Sequence, residues 1–300
     1  MSSSLQSRLL ITGAGGKLGG RVAELLLAAG ATQLVAGSRE PAKLAALAAR
    51  GAQAARVDFD DAASLDTVFR GIARLLIIST DALMVPGQRL RQHHAAVAAA
   101  VRAGVGHIVY TSMPNPEPGS PVHFAPDHYD TEQAIEKSGI PYTILRNGWY
   151  AENLLGGLPA ALASGQWFSA AGEGRVAHVT RADTARVAAA ALAAAGSTSA
   201  RHDVTGPEAY TTAQIAALAS EVTGKPLRVV PVSDEQLGAG IAQAGLPPPL
   251  VAVLVAFDVN TRAGRADIVS DAVQRFTGKA PQTLREFLVA QRAVLSPAGG

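Results

Sequence analysis

The chain contains no cysteine, which rules out a disulfide framework, a thiolate metal site and a thiol nucleophile together. Its absence suits a reducing compartment, and the cytoplasm is the expected location. Neither sign of charge dominates. With 26 Lys and Arg against 24 Asp and Glu, the basic pI of 9.0 reflects two excess charges, not a phosphate-binding face. A nucleic-acid partner is therefore not expected, because that affinity rests on clustered cations. No apolar run reaches the ~20 residues a bilayer-crossing helix needs. The start, MSSSLQSRLLITGAGG, lacks the apolar core and cleavage site of a signal peptide. A soluble chain with no membrane partner is expected. The histidines show no metal-ligand spacing, and there is no G-x-S-x-G elbow to suggest a hydrolase. His93 and His94, adjacent on a helical stretch, read as surface or packing residues.

What is present is a regular alternation. Short apolar runs at 8–13, 33–39, 54–59, 74–80, 107–113 and 142–148 are separated by segments of helical period, such as 87–104. Strands with right-handed helical crossovers form a doubly wound parallel α/β sheet, and their lack of strict polar alternation suits strands covered on both faces. The second half is less regular. Residues 175–195 read as a short strand and a helix, and 202–210 as a strand ending in a turn. Helical period returns near 211–223, 234–244 and 281–295, with GLPPPL (245–250) as a breaker between the last two. Any disordered tail is no longer than SPAGG.

The stretch TGAGGKLG, Thr12 to Gly19, joins the first strand to the first helix. Gly13 and Gly16 permit a tight turn and close approach to a pyrophosphate, Gly19 lets helix and strand pack closely, and the helix N-terminus supplies N–H donors. Thr12, Lys17 and Leu18 complete this candidate phosphate loop. At the end of the second strand, where an acid would hold a ribose 2′-hydroxyl, the chain has Ser38, Arg39 and Lys43; this favours NADP(H) over NAD. Asp58 is placed to bond the adenine amine and Phe59 to pack on its ring, with Asp60 as the N-cap of the helix that follows. Ser79 and Thr80, Thr111 and Ser112, and Asn147 and Gly148 put small polar groups at the ends of the fourth, fifth and sixth strands, where open α/β sheets bind ligands.

With these residues assembled, the sequence resembles the NmrA-like branch of the atypical short-chain dehydrogenase/reductases, and within it the bacterial NADPH-dependent quinone oxidoreductases. Triphenylmethane dye reductases share much of the pattern. The resemblance rests on ITGAGGKLG, REPAKLAALAARG, LLIIST, AGVGHIVYTS, HYDTEQ, SGIPYTILRNGWYAEN and TRAD, with RNGWYAEN (146–153) the most specific. It implies a Rossmann domain, residues 1–148 and about 174–207, and a smaller, mostly helical substrate-binding subdomain, 149–173 and 208–300. It implies that Asn147, Trp149 and Tyr150 face the nicotinamide and a small-molecule substrate, with Ser112 nearby. His128 stands where isoflavone-reductase-like relatives carry a catalytic lysine. Asn147, Tyr150 and His128 are thus the catalytic candidates. Dimers are common among such folds.

Tyr129 is followed four residues later by Gln133, not by the lysine of the usual tyrosine–lysine acid pair. Residues four apart share a helix face, and a neutral Gln leaves Tyr129 a poor acid-base group at neutral pH. Reduction of a ketone needs a proton for a localised alkoxide. A quinone spreads its charge over a ring and dispenses with a strong acid. The expected function is hydride transfer from NADPH to a quinone or similar conjugated acceptor. The alternatives are a carbonyl or dye reductase of the same family, and a non-catalytic NADP-sensing regulator.

Overall fold

The computed structural model describes residues 4–296; residues 1–3 and 297–300, which include most of the SPAGG tail, lie outside the described residues. Its strands are β1 (Leu9–Ile11), β2 (Leu34–Ser38), β3 (Gln53–Arg56), β4 (Arg74–Ile77), β5 (His107–Ser112), β6 (Tyr142–Asn147), β7 (Gln166–Ser169), β8 (Arg175–Val176), β9 (Ala200–Val204), β10 (Tyr210–Thr211) and β11 (Arg228–Pro231). The helices are α1 (Lys17–Ala28), α2 (Ala45–Ala48), α3 (Ala62–Val68), α4 (Gln88–Ala103), α5 (Ala125–Lys137), α6 (Leu158–Ser164) and α7 (Arg181–Ala193). They continue with α8 (Thr212–Thr223), α9 (Asp234–Gln243), α10 (Pro248–Arg262), α11 (Ala272–Thr277), α12 (Leu284–Ala290) and α13 (Arg292–Leu295).

Seven strands form a sheet in the order β3-β2-β1-β4-β5-β6-β9, and every pairing in it is parallel. Successive side chains of a strand point to opposite faces, and the burial follows that rule. Leu9, Ile11, Leu76, Val109, Leu145 and Val204 pack with Val22 and Leu26 of α1, Val187 and Leu192 of α7 and Val273 of α11. The intervening Leu10, Leu75, Ile77, Ile108, Tyr110 and Ile144 pack on the other face with Leu65, Phe69, Ala96 and Ile135. Both faces are dry, which is why the strands read as continuous apolar runs. The strand order reverses between β1 and β4, which opens the sheet's crevice beyond their carboxyl ends.

A separate core joins Leu158 and Leu162 of α6, Ile215 and Ala219 of α8 and Leu284, Phe287 and Leu288 of α12, beside two small sheets, β8 with β10 and β7 with β11. GLPPPL does break the chain between helices, ending α9, but its prolines also open a further helix, α10, that the sequence reading lacked. Pro247 is the N-cap of α10, with proline in its first turn, where a missing N–H costs nothing. The period seen over 281–295 is two short helices that meet at Gln291. The N-cap of α3 is Asp61, which accepts from Ala63 N and Ser64 N, not Asp60, whose carboxylate instead accepts from Gln88 and Gln92 of α4.

The β1–α1 junction tolerates no side chain at Gly19. A Cβ there would lie 2.4 Å from the Gly13 carbonyl oxygen and 2.9 Å from the Ala14 Cα, and neither backbone atom can step aside without moving β1 or α1. Gly19→Ala is expected to cost about 3 kcal/mol through overpacking, read as a lowered midpoint in urea unfolding. An unchanged midpoint would show that the junction yields freely.

Candidate cofactor cleft and active site

Thr12, one residue beyond β1, is buried. Its hydroxyl donates to the Leu76 carbonyl at 3.1 Å and accepts from the Ile78 N–H at 2.9 Å, stitching the two strands at which the sheet order reverses. Gly13 then turns with φ +64°, a left-handed conformation that suits glycine. Gly16 begins α1 without a side-chain cap, so the first-turn N–H groups remain open to an anion. A cavity of about 380 Å³ lies over this turn. Every residue assigned to the cofactor from sequence borders it except Asn147: Thr12, Gly13 and Gly16 to Gly19 of the loop, Arg39 and Lys43 after β2, Asp58 and Phe59 after β3, and Ser79 and Thr80 after β4.

The charged side chains of this rim are partly committed. Lys43 pairs with Glu40 at 2.6 Å and holds that carboxyl below its usual range by hydrogen bond and charge. Arg39, largely exposed, stands 3.9 Å from Asp81. Asp58 gives one oxygen to Arg56 at 3.0 Å and accepts from the Asp60 N–H with the other.

Beyond β4 the chain leaves the sheet, and three consecutive N–H groups would lose their partners. Each is met by a side chain from a different element: Ile78 N–H by Thr12, Ser79 N–H by Thr111 at 2.9 Å and Thr80 N–H by His93 Nε2 at 3.0 Å. Of the two readings of His93, surface or packing, the second holds, with a hydrogen-bonding role added. It is fully buried, and burial, with Arg89 nearby, pushes its pKa down to about 3. A neutral ring accepting at Nε2 carries its proton on Nδ1, toward the Thr131 hydroxyl at 3.0 Å. His94 is exposed.

His128 lies on the inner face of α5 with Glu132, while Tyr129 and Gln133 share a half-buried face. Both nitrogens of His128 are engaged, Nε2 by Arg89 at 2.8 Å and Nδ1 by the Tyr110 hydroxyl at 2.9 Å. Arginine only donates, so Nε2 is an acceptor and Nδ1 holds the proton. Burial, Arg89 and His93 hold its pKa well below the ordinary range. At 4% exposure it has no free edge for a substrate, which corrects its candidacy as a catalytic group. Ser112, expected near the substrate, is also buried and engaged. Its hydroxyl donates to Glu132 Oε1 at 2.5 Å, which leaves it only an acceptor toward a substrate.

Asn147 and Tyr150 are brought together at the end of β6. Asn147 Nδ2 donates to the Tyr150 hydroxyl at 3.4 Å, and its buried Oδ1 has no donor among the described residues. Tyr150 bridges to Val179, and the Arg181 guanidinium lies 5.1 Å from its ring centroid. Burial pushes the Tyr150 pKa up to about 12, against the opposing pull of Asn147 and Arg181. The phenol is therefore a hydrogen-bond donor throughout the neutral range. Trp149 turns the other way, edge-on to Phe257 of α10, which meets Phe124 in the same manner; Met113 and Val122 complete this apolar group.

Sequence reasoning missed Arg89, Gln92 and Phe257. Arg89 and Gln92 occupy the buried stripe of α4 with His93, Ala96 and Val97, and polar residues at apolar helical positions were the available signal. Phe257 gave none, because only the folded chain carries α10 to Trp149.

The model of the NmrA-like family matches residues 5–288. Quinone oxidoreductase 2 of Escherichia coli K12 is 39% identical over 279 residues, 93% of this chain and 96% of that protein. The crystal structure of an E. coli NADPH-dependent quinone oxidoreductase complexed with NADPH superposes with a TM-score of 0.89 at 38% identity, over 94% of this chain and 99% of that one. Citrobacter sp. triphenylmethane reductase complexed with NADP(H) gives a TM-score of 0.88 at 33% identity, over 95% and 99%.

Proposed function

The chain belongs to the NmrA-like family, and from that premise we propose that it is an NADPH-dependent reductase that passes hydride to a quinone or similar conjugated acceptor. The residues present fit the cofactor. The open N–H groups at the start of α1 suit a pyrophosphate. The cavity over the glycine turn leaves room for it, and a Cβ on Gly15 would crowd Ser38 Oγ at 3.0 Å on the wall of that cavity. Arg39 and Lys43 on the rim suit a 2′-phosphate. NADPH, when bound, supplies the hydride.

The observation that carries the acceptor class is the state of Tyr150. A phenol held protonated by burial donates a hydrogen bond to a developing oxyanion but yields its proton reluctantly. Such a site suits an acceptor that spreads its own negative charge. Asn147 orients the hydroxyl, Arg181 packs over the ring, and the Trp149 and Phe257 group offers flat apolar surface to an aromatic ring. In this reading residues 149–173 and 208–300 close over the substrate, the partners are small molecules rather than nucleic acid, the enzyme acts in the cytoplasm, and two copies form a dimer.

The test is NADPH oxidation by the purified protein over a panel of quinones, triphenylmethane dyes and simple ketones. Turnover of quinones or dyes well above ketones is expected. Turnover of ketones alone would overturn the acceptor class. Tight NADPH binding with no turnover would favour the regulator.

A further inference from the structure

We propose that the recess between the first turns of α1 and α7 and the turn after β6 binds an anionic substituent of the acceptor, a carboxylate, sulfonate or phosphate, while the acceptor's ring is reduced. The inference rests on the reductase reading above and names a substrate class within it.

The recess, of about 640 Å³, is lined by Lys17 and Arg21 of α1, Arg181 and Ala182 of α7, and Glu152, Leu155 and Gly156 of the 3-10 turn Ala151–Gly156. Two of its walls belong to the helices that flank the parallel sheet and the third to the segment after β6 that resembles a substrate-binding region. Small molecules favour such junctions. The recess adjoins both reacting partners. Lys17 also borders the cofactor cavity, and the Arg181 guanidinium lies 5.1 Å from the Tyr150 ring centroid. Tyr150 packs against the core that α1 and α7 share, whereas Trp149 joins Phe257. An acceptor at the Tyr150 hydroxyl therefore has apolar surface toward Trp149 and cations toward Arg181.

Three cations line the recess against one carboxylate. That carboxylate is engaged by the backbone: both Glu152 oxygens accept from the Arg181 N–H, at 3.0 and 3.1 Å. The Arg181 side chain is held in place by Asn153, whose Oδ1 accepts from Nη2 at 3.0 Å, and neither Arg181 nor Lys17 has a carboxylate partner among the described residues. Lys17 and Arg21, four residues apart, share the exposed face of α1. Arg21 is bound to Glu24 at 2.7 Å, with both side chains well exposed, a pair that exchanges readily for another anion. The first-turn N–H groups of α1 meet the pyrophosphate, which leaves Arg21 and Arg181 to a second anion.

The test compares 1,4-naphthoquinone with its 6-sulfonate as acceptors at saturating NADPH. The ratio of kcat/KM, sulfonate over parent quinone, is expected to fall about threefold in Arg21→Gln and about tenfold in Arg21→Glu. The change should appear in KM with kcat nearly constant, because the substituent is remote from the reacting ring, and kcat/KM for the parent quinone should hold. A ratio taken within one variant does not depend on how much of the preparation is folded. Arg70→Gln makes the same charge change on an exposed residue just before β4 and should leave the ratio as it was. A ratio insensitive to both Arg21 variants, or lowered as much by Arg70→Gln, would overturn the inference alone. So would weaker NADPH binding in Arg21→Glu with both quinones affected equally, which would assign the recess to a phosphate of the cofactor. Failure of the unaltered chain to reduce either quinone would overturn the reductase reading with it.

Discussion

Replacing Tyr150 by Phe is expected to lower kcat/KM for a quinone about 100-fold, the usual loss when one donor to a developing oxyanion is removed, while the dissociation constant for NADPH stays within about twofold. The two effects separate because Tyr150 does not border the cofactor cavity, whereas its hydroxyl stands beside Asn147 at the end of β6. The phenyl ring keeps its packing and the Arg181 contact, so the variant should fold. Tyr129→Phe is the matched control, on a helix face without an assigned donor role, and should leave turnover nearly unchanged. With the Tyr150 pKa pushed up to about 12, the phenol keeps its proton from roughly pH 6 to 9, and the rate should show no tyrosine ionisation there. Single-turnover NADPH oxidation by stopped flow reads the rate, and fluorescence titration reads the binding. Equal rates for Tyr150→Phe and the parent would remove Tyr150 from the mechanism.

The second large effect belongs to Arg146. Glu132 of α5 is fully buried. It takes bonds from Arg146 at 2.6 and 3.0 Å and from Ser112, with Arg201 at 3.5 Å. Arg146 also reaches Glu117 at 2.7 Å, so one guanidinium ties α5 and β6 to the loop after β5. Burial pulls the Arg146 pKa down, but the two carboxylates outweigh it and hold the guanidinium above its ordinary range. Arg146→Met leaves the Glu132 carboxylate buried with only Arg201 as a charged partner, and a broken buried pair costs about 3–5 kcal/mol. The melting temperature should fall by roughly 10 °C. Arg146→Lys should recover little, since an ammonium cannot make the forked contact, whereas Arg146→Met with Glu132→Gln should recover much of the loss. Calorimetry decides it: a melting temperature for Arg146→Met within about 2 °C of the parent would show that Arg201 and Ser112 suffice. Asn147 follows Arg146 directly in β6, so the pair also bears on how firmly the reacting end of that strand is held.

These two residues show where sequence reasoning reaches and where it stops. Arg146 and Tyr150 lie in the run RNGWYAEN, and the run marks the end of a buried strand by its own pattern. Nothing in it says that Arg146 turns toward Glu132, or that Ser112 turns with it. That choice depends on which face of β5 and β6 the α5 helix covers. The same holds for His128 and His93. Both sit at positions a linear reading treats as exposed or catalytic, and the packing of α4 against α5 encloses them and sets their tautomers.

By itself the sequence determined the alternation that builds the sheet, because a strand covered on both faces must be apolar at every position. It also determined the glycine turn before α1, because only glycine tolerates the approach seen at Gly19 and the φ of Gly13. These are local requirements, written in consecutive residues. The tertiary structure decided which polar groups remain free. Asp60, Ser112 and His128 are chemically competent, yet each finds a partner across the fold, and Asp58 finds two only two residues away, while the Gln92 carbonyl and the Asn147 Oδ1 find none among the described residues. A hydrogen-bonding group is most available to a ligand where protein atoms have claimed least of it, and many of those claims are made by residues some 20 to 40 positions away in the chain.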